Sequence, residues 1–318
     1  MRSAKTEVGG LFVTLALTLA ACAGTQPGTT TQPSRSSATP ISTPSASGAL
    51  DQEHLDAQAA LDRWASAVSK AGGPPWFSVA PGYATGQVGD WEVAMGSDGK
   101  IAVQAGALNA DPELSDSVPA PAEVRWADGV ARTLPLVSAR DALAELRAGG
   151  NGQCGDCHPL IVSGARLSTA KVTTSRGQAT VPAWEFTLEG TSVRVTYLAV
   201  SPAATAKVAP HEGVGRQIDS ATGTRSGRVL TVTFTGSPGP GSRPCGADYD
   251  AEAVESSLGV VVIVHEHRYV DPDPSASPII CTSEGAFRMA NVELAQPLGD
   301  RAVLDPKEGL PVPVTLTN

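Results

Sequence analysis

The sequence predicts a mainly β chain, arranged as two β-sandwich or barrel-like units with two short α-helices in the N-terminal half. Three observations point there. From residue 160 onward, runs rich in Val, Thr and other strand formers recur between turns containing Gly, Ser and Pro. Two stretches in the first half, near 52–70 and 138–148, instead carry apolar residues at helical spacing and end on paired glycines. The composition, 41% apolar with 33 Gly and 25 Pro, supplies an ordinary core and many turns.

The N-terminus comes first. Arg2 and Lys5 form a small basic region, residues 9–21 (GGLFVTLALTLAA) an apolar one, and the run stops at Cys22. As a helix this apolar segment rises roughly 20 Å, short of the ~30 Å of bilayer hydrocarbon, so it reads as a signal peptide (1–21) rather than a membrane span. Leu19-Ala20-Ala21-Cys22 resembles the lipobox of bacterial lipoproteins, whose cysteine is acylated and becomes the first residue of the mature chain. That resemblance implies a lipid bilayer as partner through acylated Cys22, and a place on the extracytoplasmic face of the cell membrane. Residues 22–50 continue as the lipidated cysteine and a Ser/Thr/Pro tether with too little apolar surface to order itself.

Two folded segments follow, an α+β or β-rich domain over 51–210 and a β-sandwich-like domain over 211–318. Asp51 is placed to cap a helix over 52–70, with Ala57, Leu61, Trp64, Ala65 and Val68 on one face and Gly72, Gly73 and Pro74 as its stop. Extended runs at 87–95 and 100–108, joined by Ser97-Asp98-Gly99-Lys100, read as a hairpin, and 122–136 as further strand. Ser138-Ala139-Arg140-Asp141 is a capping box for a second helix ending at Gly149-Gly150. Strands are then expected at 160–175, 178–189 and 192–200, and, after a break at 201–215, near 228–235, 249–255, 258–268, 285–296 and 311–317.

Charge narrows the partners. A net charge of -9 and no dense Lys/Arg face argue against nucleic acid. Arg outnumbers Lys among the 23 basic residues, the usage of a GC-rich genome.

Four cysteines remain once Cys22 is committed to lipid: Cys154, Cys157, Cys245 and Cys281, an even set for an oxidising compartment with three possible pairings. The local pairing, 154 with 157 and 245 with 281, is favoured because the second bridge would clamp the ends of the valine-rich strand. CGDCHP at 154–159 also matches C-x-x-C-H, the attachment pattern of c-type haem with the histidine as axial ligand. Haem would need a second ligand from Met95, Met289 or another histidine and a large apolar pocket, yet aromatics are only 4% and Pro159 biases His158 toward extended backbone. The expectation is therefore a disulfide with a solvent-facing His158, and no cofactor. A thioredoxin-like role is disfavoured because the pair follows a helix and leads into a strand.

His265-Glu266-His267 sets two imidazoles on one strand face, a spacing some zinc sites use; with no third ligand nearby, a strand emerging into solvent is the plainer reading. His54 and His211 read as surface residues. Ser168-Thr-Ala-Lys171 imitates the S-x-x-K of penicillin-recognising enzymes but falls in a strand, and Gly150-x-Gly152-x-x-Gly155 imitates a dinucleotide loop but follows a helix. Asp271 and Asp273 belong to a Pro-rich loop. No catalytic residue is assigned.

The segments VSGARLSTAKVTTSRGQATVPAWEFTLEG, CGADYDAEAVES and ELAQPLGDRAVLD resemble recurring stretches of actinobacterial secreted lipoproteins with no assigned activity, over roughly 145–318. The resemblance implies a surface β-module and transfers no catalytic residue. The functional expectation is a lipid-anchored, non-catalytic binding or structural module for an unidentified extracytoplasmic ligand or protein. The alternatives are a redox protein using the CxxC(H) pair and a cell-wall hydrolase without a recognisable motif.

Overall fold

The computed structural model describes residues 46–80, 82–91, 97–273 and 279–317. The expectations placed on residues 1–45, Cys22 included, and on Met95 lie outside them. Among the described residues strand makes up 38% and helix 16%, so the fold is mainly β, and no sheet among them closes into a barrel. Three helices, rather than two, occur among the described residues.

The first helix, α1 (Ala46–Lys70), begins ahead of Asp51, which lies within it rather than at its cap. The intervening Ala49 and Leu50 are strong helix formers and extend the helix backward. Its expected face is the buried one: Ala57, Leu61, Trp64 and Val68 are all buried, and Ala60 and Ala67 widen the stripe. At its end Gly73 N–H donates to Val68 O (2.9 Å) and Gly72 N–H to Ser69 O (3.1 Å), a Schellman stop. Gly72 makes that stop with a φ of 92°, a conformation glycine adopts at no steric cost.

One seven-stranded sheet dominates the first half. It comprises β1 (Thr85–Val88), β2 (Leu108–Ala110), β3 (Ala122–Trp126), β4 (Ala131–Leu134), β5 (Leu160–Thr174), β6 (Gly177–Leu188) and β7 (Arg194–Leu198). The long β5–β6 hairpin is its spine, and β6 shares its other edge between β3 at Ala179–Thr180 and β7 at Ala183–Thr187. The hairpin expected from 87–95 and 100–108 does not form. β1 pairs with β7, and the second run is helix α2 (Ser97–Ala105). Packing decides this: Ala102 enters the core, and Gly99 lies so close under Trp91 that a Cβ there would come within 2.3 Å of the ring. Helix α3 (Ala139–Ala148) forms as read, with the Ser138 side chain accepting from Asp141 N–H at 3.1 Å and Ala142, Leu143 and Leu146 buried.

The second half holds two sheets face to face. β10 (Ala247–Glu255), β11 (Gly259–Arg268) and β13 (Ala302–Leu304) form one; β8 (Ser220–Gly223), β9 (Val229–Gly236), β12 (Ala286–Glu293) and β14 (Val314–Leu316) form the other. Their shared core joins Val260, Val262 and Val264 to Leu230, Val232, Phe234 and Val292. The alternate residues of β11, Val261 and Ile263, face α1 instead, in a cluster with Leu61 and Trp64. Thus β11 is covered on both faces, which is why it reads as an unbroken apolar run. Trp64 Nε1 donates to Leu258 O (2.9 Å), and a Cβ at Gly259 would meet Leu61 at 3.1 Å, so α1 lies directly on the strand.

Candidate functional site

The apolar run of β11 ends at Val264, where its two covering layers end. β10 pairs antiparallel with β11, setting His265 opposite Asp250 and His267 opposite Asp248. Opposed residues share a face, so Asp248, Asp250, Glu252, His265 and His267 lie together on the side that α1 covers farther along. His265 Nε2 is 3.3 Å from Glu252 Oε1 and its Nδ1 is 3.8 Å from Glu53 Oε2 of α1. His54 Nε2 lies 3.1 Å from the same Glu252 oxygen, and His267 Nε2 lies 3.1 Å from Asp250 Oδ1. The i, i+2 spacing does place both imidazoles on one face, but each is engaged by a carboxylate. No group of three or more potential metal ligands is gathered among the described residues. His54, read from the sequence as an ordinary surface residue, is drawn into this row.

On the other face, Glu266 accepts from Tyr249 Oη (3.0 Å) and from Arg268 Nε (2.9 Å), and pairs with Arg216 Nη2 at 3.1 Å. Burial on its own would raise the Glu266 carboxyl; the hydrogen bonds from Arg268 and Tyr249 and the Arg216 charge outweigh it and hold the group below its ordinary value. Arg216 spans the end of the sandwich, 5.7 Å from the centroid of Phe234 and 5.1 Å from that of Tyr249, and donates to Thr235 O at 2.8 Å.

Beside this end of β11 opens a groove of about 960 Å³. One wall is Val264, His265, Glu266 and His267; the facing wall carries Gly215, Arg216, Asp219 and Lys307, with Glu53 and Asp250 at its margin. Successive side chains of a strand point to opposite faces, so four consecutive residues can border one groove only where it runs along the strand's edge. Asp305 holds the facing wall. Its carboxylate, buried, accepts from Ile218 N–H (2.8 Å) and Glu308 N–H (2.7 Å), and Gly213 N–H donates to Lys307 O at 2.7 Å. Burial pushes the Asp305 carboxyl above its ordinary value despite those two backbone donors.

The cysteines take the local pairing. Cys154 and Cys157 are joined with Cα atoms 5.2 Å apart, and Cys245 and Cys281 with Cα atoms 5.5 Å apart. The first pair sits between α3 and β5, partly exposed, and His158 beside it is exposed. Gly150 of this loop abuts α2, where a Cβ would come 2.4 Å from Gly106 N, so the Gly-rich stretch is a packing loop. The second bridge ties the start of β10 to the segment after β11 and borders a second groove of about 700 Å³ that includes Asp271 and Asp273. Asp273 N–H donates to Asp271 Oδ1 (2.9 Å), a local turn. Ser168 and Lys171 lie in β5 as expected, Met289 is exposed on β12, and His211 is exposed in a loop.

Arg216, Asp219, Asp250, Glu266 and Lys307 were not legible as site residues. Their only sequence signal is the change from apolar to charged residues after Val264; what gathers them is a facing wall drawn from two separate loops. No protein-family model, no curated protein and no solved structure matches the chain.

Proposed function

We propose that the mature chain is a lipid-anchored, non-catalytic binding module on the extracytoplasmic face of the membrane, and that it binds through the groove beside β11. One observation carries the reading: a groove of about 960 Å³ runs along the edge of a strand whose other edge is paired throughout and whose faces are packed as far as Val264. Its size falls within the range of ligand sites; β10 pairing holds one wall and the buried Asp305 carboxylate ties the loops of the other. His265 and His267 face carboxylates rather than a hydroxyl or thiol they could activate, which favours binding over nucleophilic chemistry. The anchor is supported by the Leu19-Ala20-Ala21-Cys22 lipobox resemblance.

Site-specific photo-crosslinking in cells that export the full chain tests this. A benzophenone side chain at Gln217, on the groove wall, should give discrete adducts that the same group at Asn291, on the outer face of β12, does not. Equal adducts, or none, from the two positions would overturn the groove as the binding site.

A further inference from the structure

We infer that this groove takes an extended, lysine- or arginine-bearing polypeptide segment, added as a further strand to the open edge of β11. The inference rests on the binding reading above and names its ligand class.

The edge is available. β10 takes one side of β11 along its whole length, whereas β13 pairs on the other side only with Gly259–Val261. Among the described residues no backbone hydrogen bond from another segment reaches Val264–His267 from that side. The polarity of the edge follows from the register. Ser256 N–H donates to Gly259 O and Tyr269 N–H to Gly246 O, so the odd-numbered residues between them exchange bonds with β10. The N–H and C=O groups of Val264 and Glu266 therefore point outward, into the groove. Natural sheets blunt such edges with proline, bulges or very short strands. Val262–Arg268 contains no proline and pairs with β10 without a register shift; its one blunting device is charge, at Glu266 and Arg268, and those two are bonded to each other.

Charge selects the occupant. Arg216 is committed to Glu266 at 3.1 Å; with histidine counted as neutral, Glu53, Asp219 and Asp250, two of them in contact with His265 and His267, then outnumber Lys307. The groove is thus net acidic. A strand laid along the open edge of β11 would set alternate side chains beside His265 and His267; a lysine or arginine is long enough to reach past them to the carboxylates of Asp250 on β10 and of Glu53 and Asp219 at the groove walls, where glutamate meets repulsion. Main-chain bonds would supply affinity and the alternate side chains specificity, the strand-addition mode of peptide recognition.

Fluorescence anisotropy on the full mature chain provides the test, with three labelled octapeptides: alternating Lys and Val, alternating Glu and Val, and the Lys/Val peptide with every backbone amide N-methylated. The Lys/Val peptide should bind about tenfold or more tighter than either control. Replacing Asp219→Lys and Asp250→Lys together should weaken it by a similar factor with melting unchanged, since both side chains are exposed or half-exposed. Equal binding of the N-methylated peptide would sink strand addition, and equal binding of the Glu/Val peptide would sink the charge argument. A dimer in sizing experiments that the same double variant dissolves would assign the edge to a second copy and overturn the proposal. Adducts at Gln217 alongside failure of all three peptides would sink the peptide class and leave the groove reading standing; loss of both would sink both.

Discussion

The guanidinium of Arg176 lies 4.7 Å from the ring centroid of Trp126 and 5.7 Å from that of Trp76. Arg176 is the turn residue between β5 and β6, and its side chain is 1% exposed. That turn reaches from the first-half sheet to the second half: Arg176 Nη2 meets Asp300 Oδ1 at 2.7 Å, and Gly177 lies against Leu316 of β14. Arg225 joins the same cluster through Asp300 and Asp128. Burial lowers the Arg176 pKa from its ordinary value, with Asp128 opposing that shift, while Nε and Nη1 find no hydrogen-bond acceptor. The two indole rings, with the Asp300 ion pair at Nη2, therefore compensate for burying this cation.

Arg176 should hold the two halves together mainly by packing. Arg176→Ala is expected to destabilise by about 2–4 kcal/mol, combining the lost ring contacts with a buried gap. Arg176→Met should cost less than half of that, because its chain still fills the space beside the indoles, and Asp300, 61% exposed, is left solvated. Urea unfolding of both variants checks the ranking; a Met variant as damaged as Ala would place the stabilisation in the charge instead.

The two disulfides should differ in weight. Cys245 and Cys281 are 36 residues apart and Cys154 and Cys157 only 3. Loop-closure entropy then assigns roughly 4 kcal/mol to the long bridge and about 2 to the short one. Double Ser variants of each pair, compared by thermal unfolding, should show the larger loss for Cys245 and Cys281. Equal losses would show that native strain or residual structure, rather than loop length, governs these bridges.

The parts legible in advance were those set by local chemistry. The Ser138–Asp141 cap, the glycine stop of α1, and the β5–β6 hairpin around Ser175-Arg176-Gly177 each depend on residues within a few positions of one another. The strand expected over 100–108 gives way to helix α2 because the fate of this segment depends on Gly99 fitting under Trp91, a tertiary contact without a periodic signature. Short strands such as β2, β8 and β13 carry too few residues to show alternation. The groove escaped for a related reason: Glu53, Asp219, Asp250 and Lys307 come from four distant parts of the chain, and Asp305, which positions one wall, looks in sequence like any surface aspartate.

Acid sensitivity should trace in part to Glu255. Its carboxylate accepts from Arg301 Nη1 at 2.5 Å and from Ala295 N–H at 2.6 Å, while Arg301 also donates to Gln296 O and Pro297 O. Burial alone would raise this carboxyl, but the Arg301 bond, the backbone donors and the Arg301 charge together lower it. A carboxyl with a depressed folded-state pKa contributes stability above the unfolded glutamate value and loses it as pH falls through the folded value. Glu255→Gln should therefore be less stable than the parent at neutral pH and lose less on acidification, so that the two stability curves converge at low pH. A constant offset between the curves would refute the linkage.

Anchoring through Cys22 predicts a simple partition. The exported chain should sediment with membranes and carry acyl groups on Cys22, and Cys22→Ala should release it to the soluble extracytoplasmic fraction, because the two to three acyl chains on that cysteine supply nearly all the membrane affinity. No helix among the described residues is long and apolar enough to cross a membrane. Retention of the Cys22→Ala protein in the membrane fraction would require a different anchor.

Asp305 offers the sharpest separation of fold from groove. It is the link between the end of β13 and the Ile218 backbone, and its two accepted hydrogen bonds fix where Asp219 and Lys307 stand relative to β11. Asparagine retains one acceptor but turns an amino group toward a backbone N–H, so Asp305→Asn should cost about 1–3 kcal/mol. Its pH dependence should run opposite to that of Glu255. The folded-state pKa of Asp305 is raised, so it favours folding below that value and works against it as pH rises through it; replacing it should steepen the acid-side loss of stability. In the same variant the Lys/Val octapeptide should bind more weakly while the fold persists at low temperature, as judged by an unchanged far-UV spectrum. Peptide affinity identical to the parent, despite the expected loss of stability, would mean that the wall carrying Asp219 and Lys307 is not part of the binding surface.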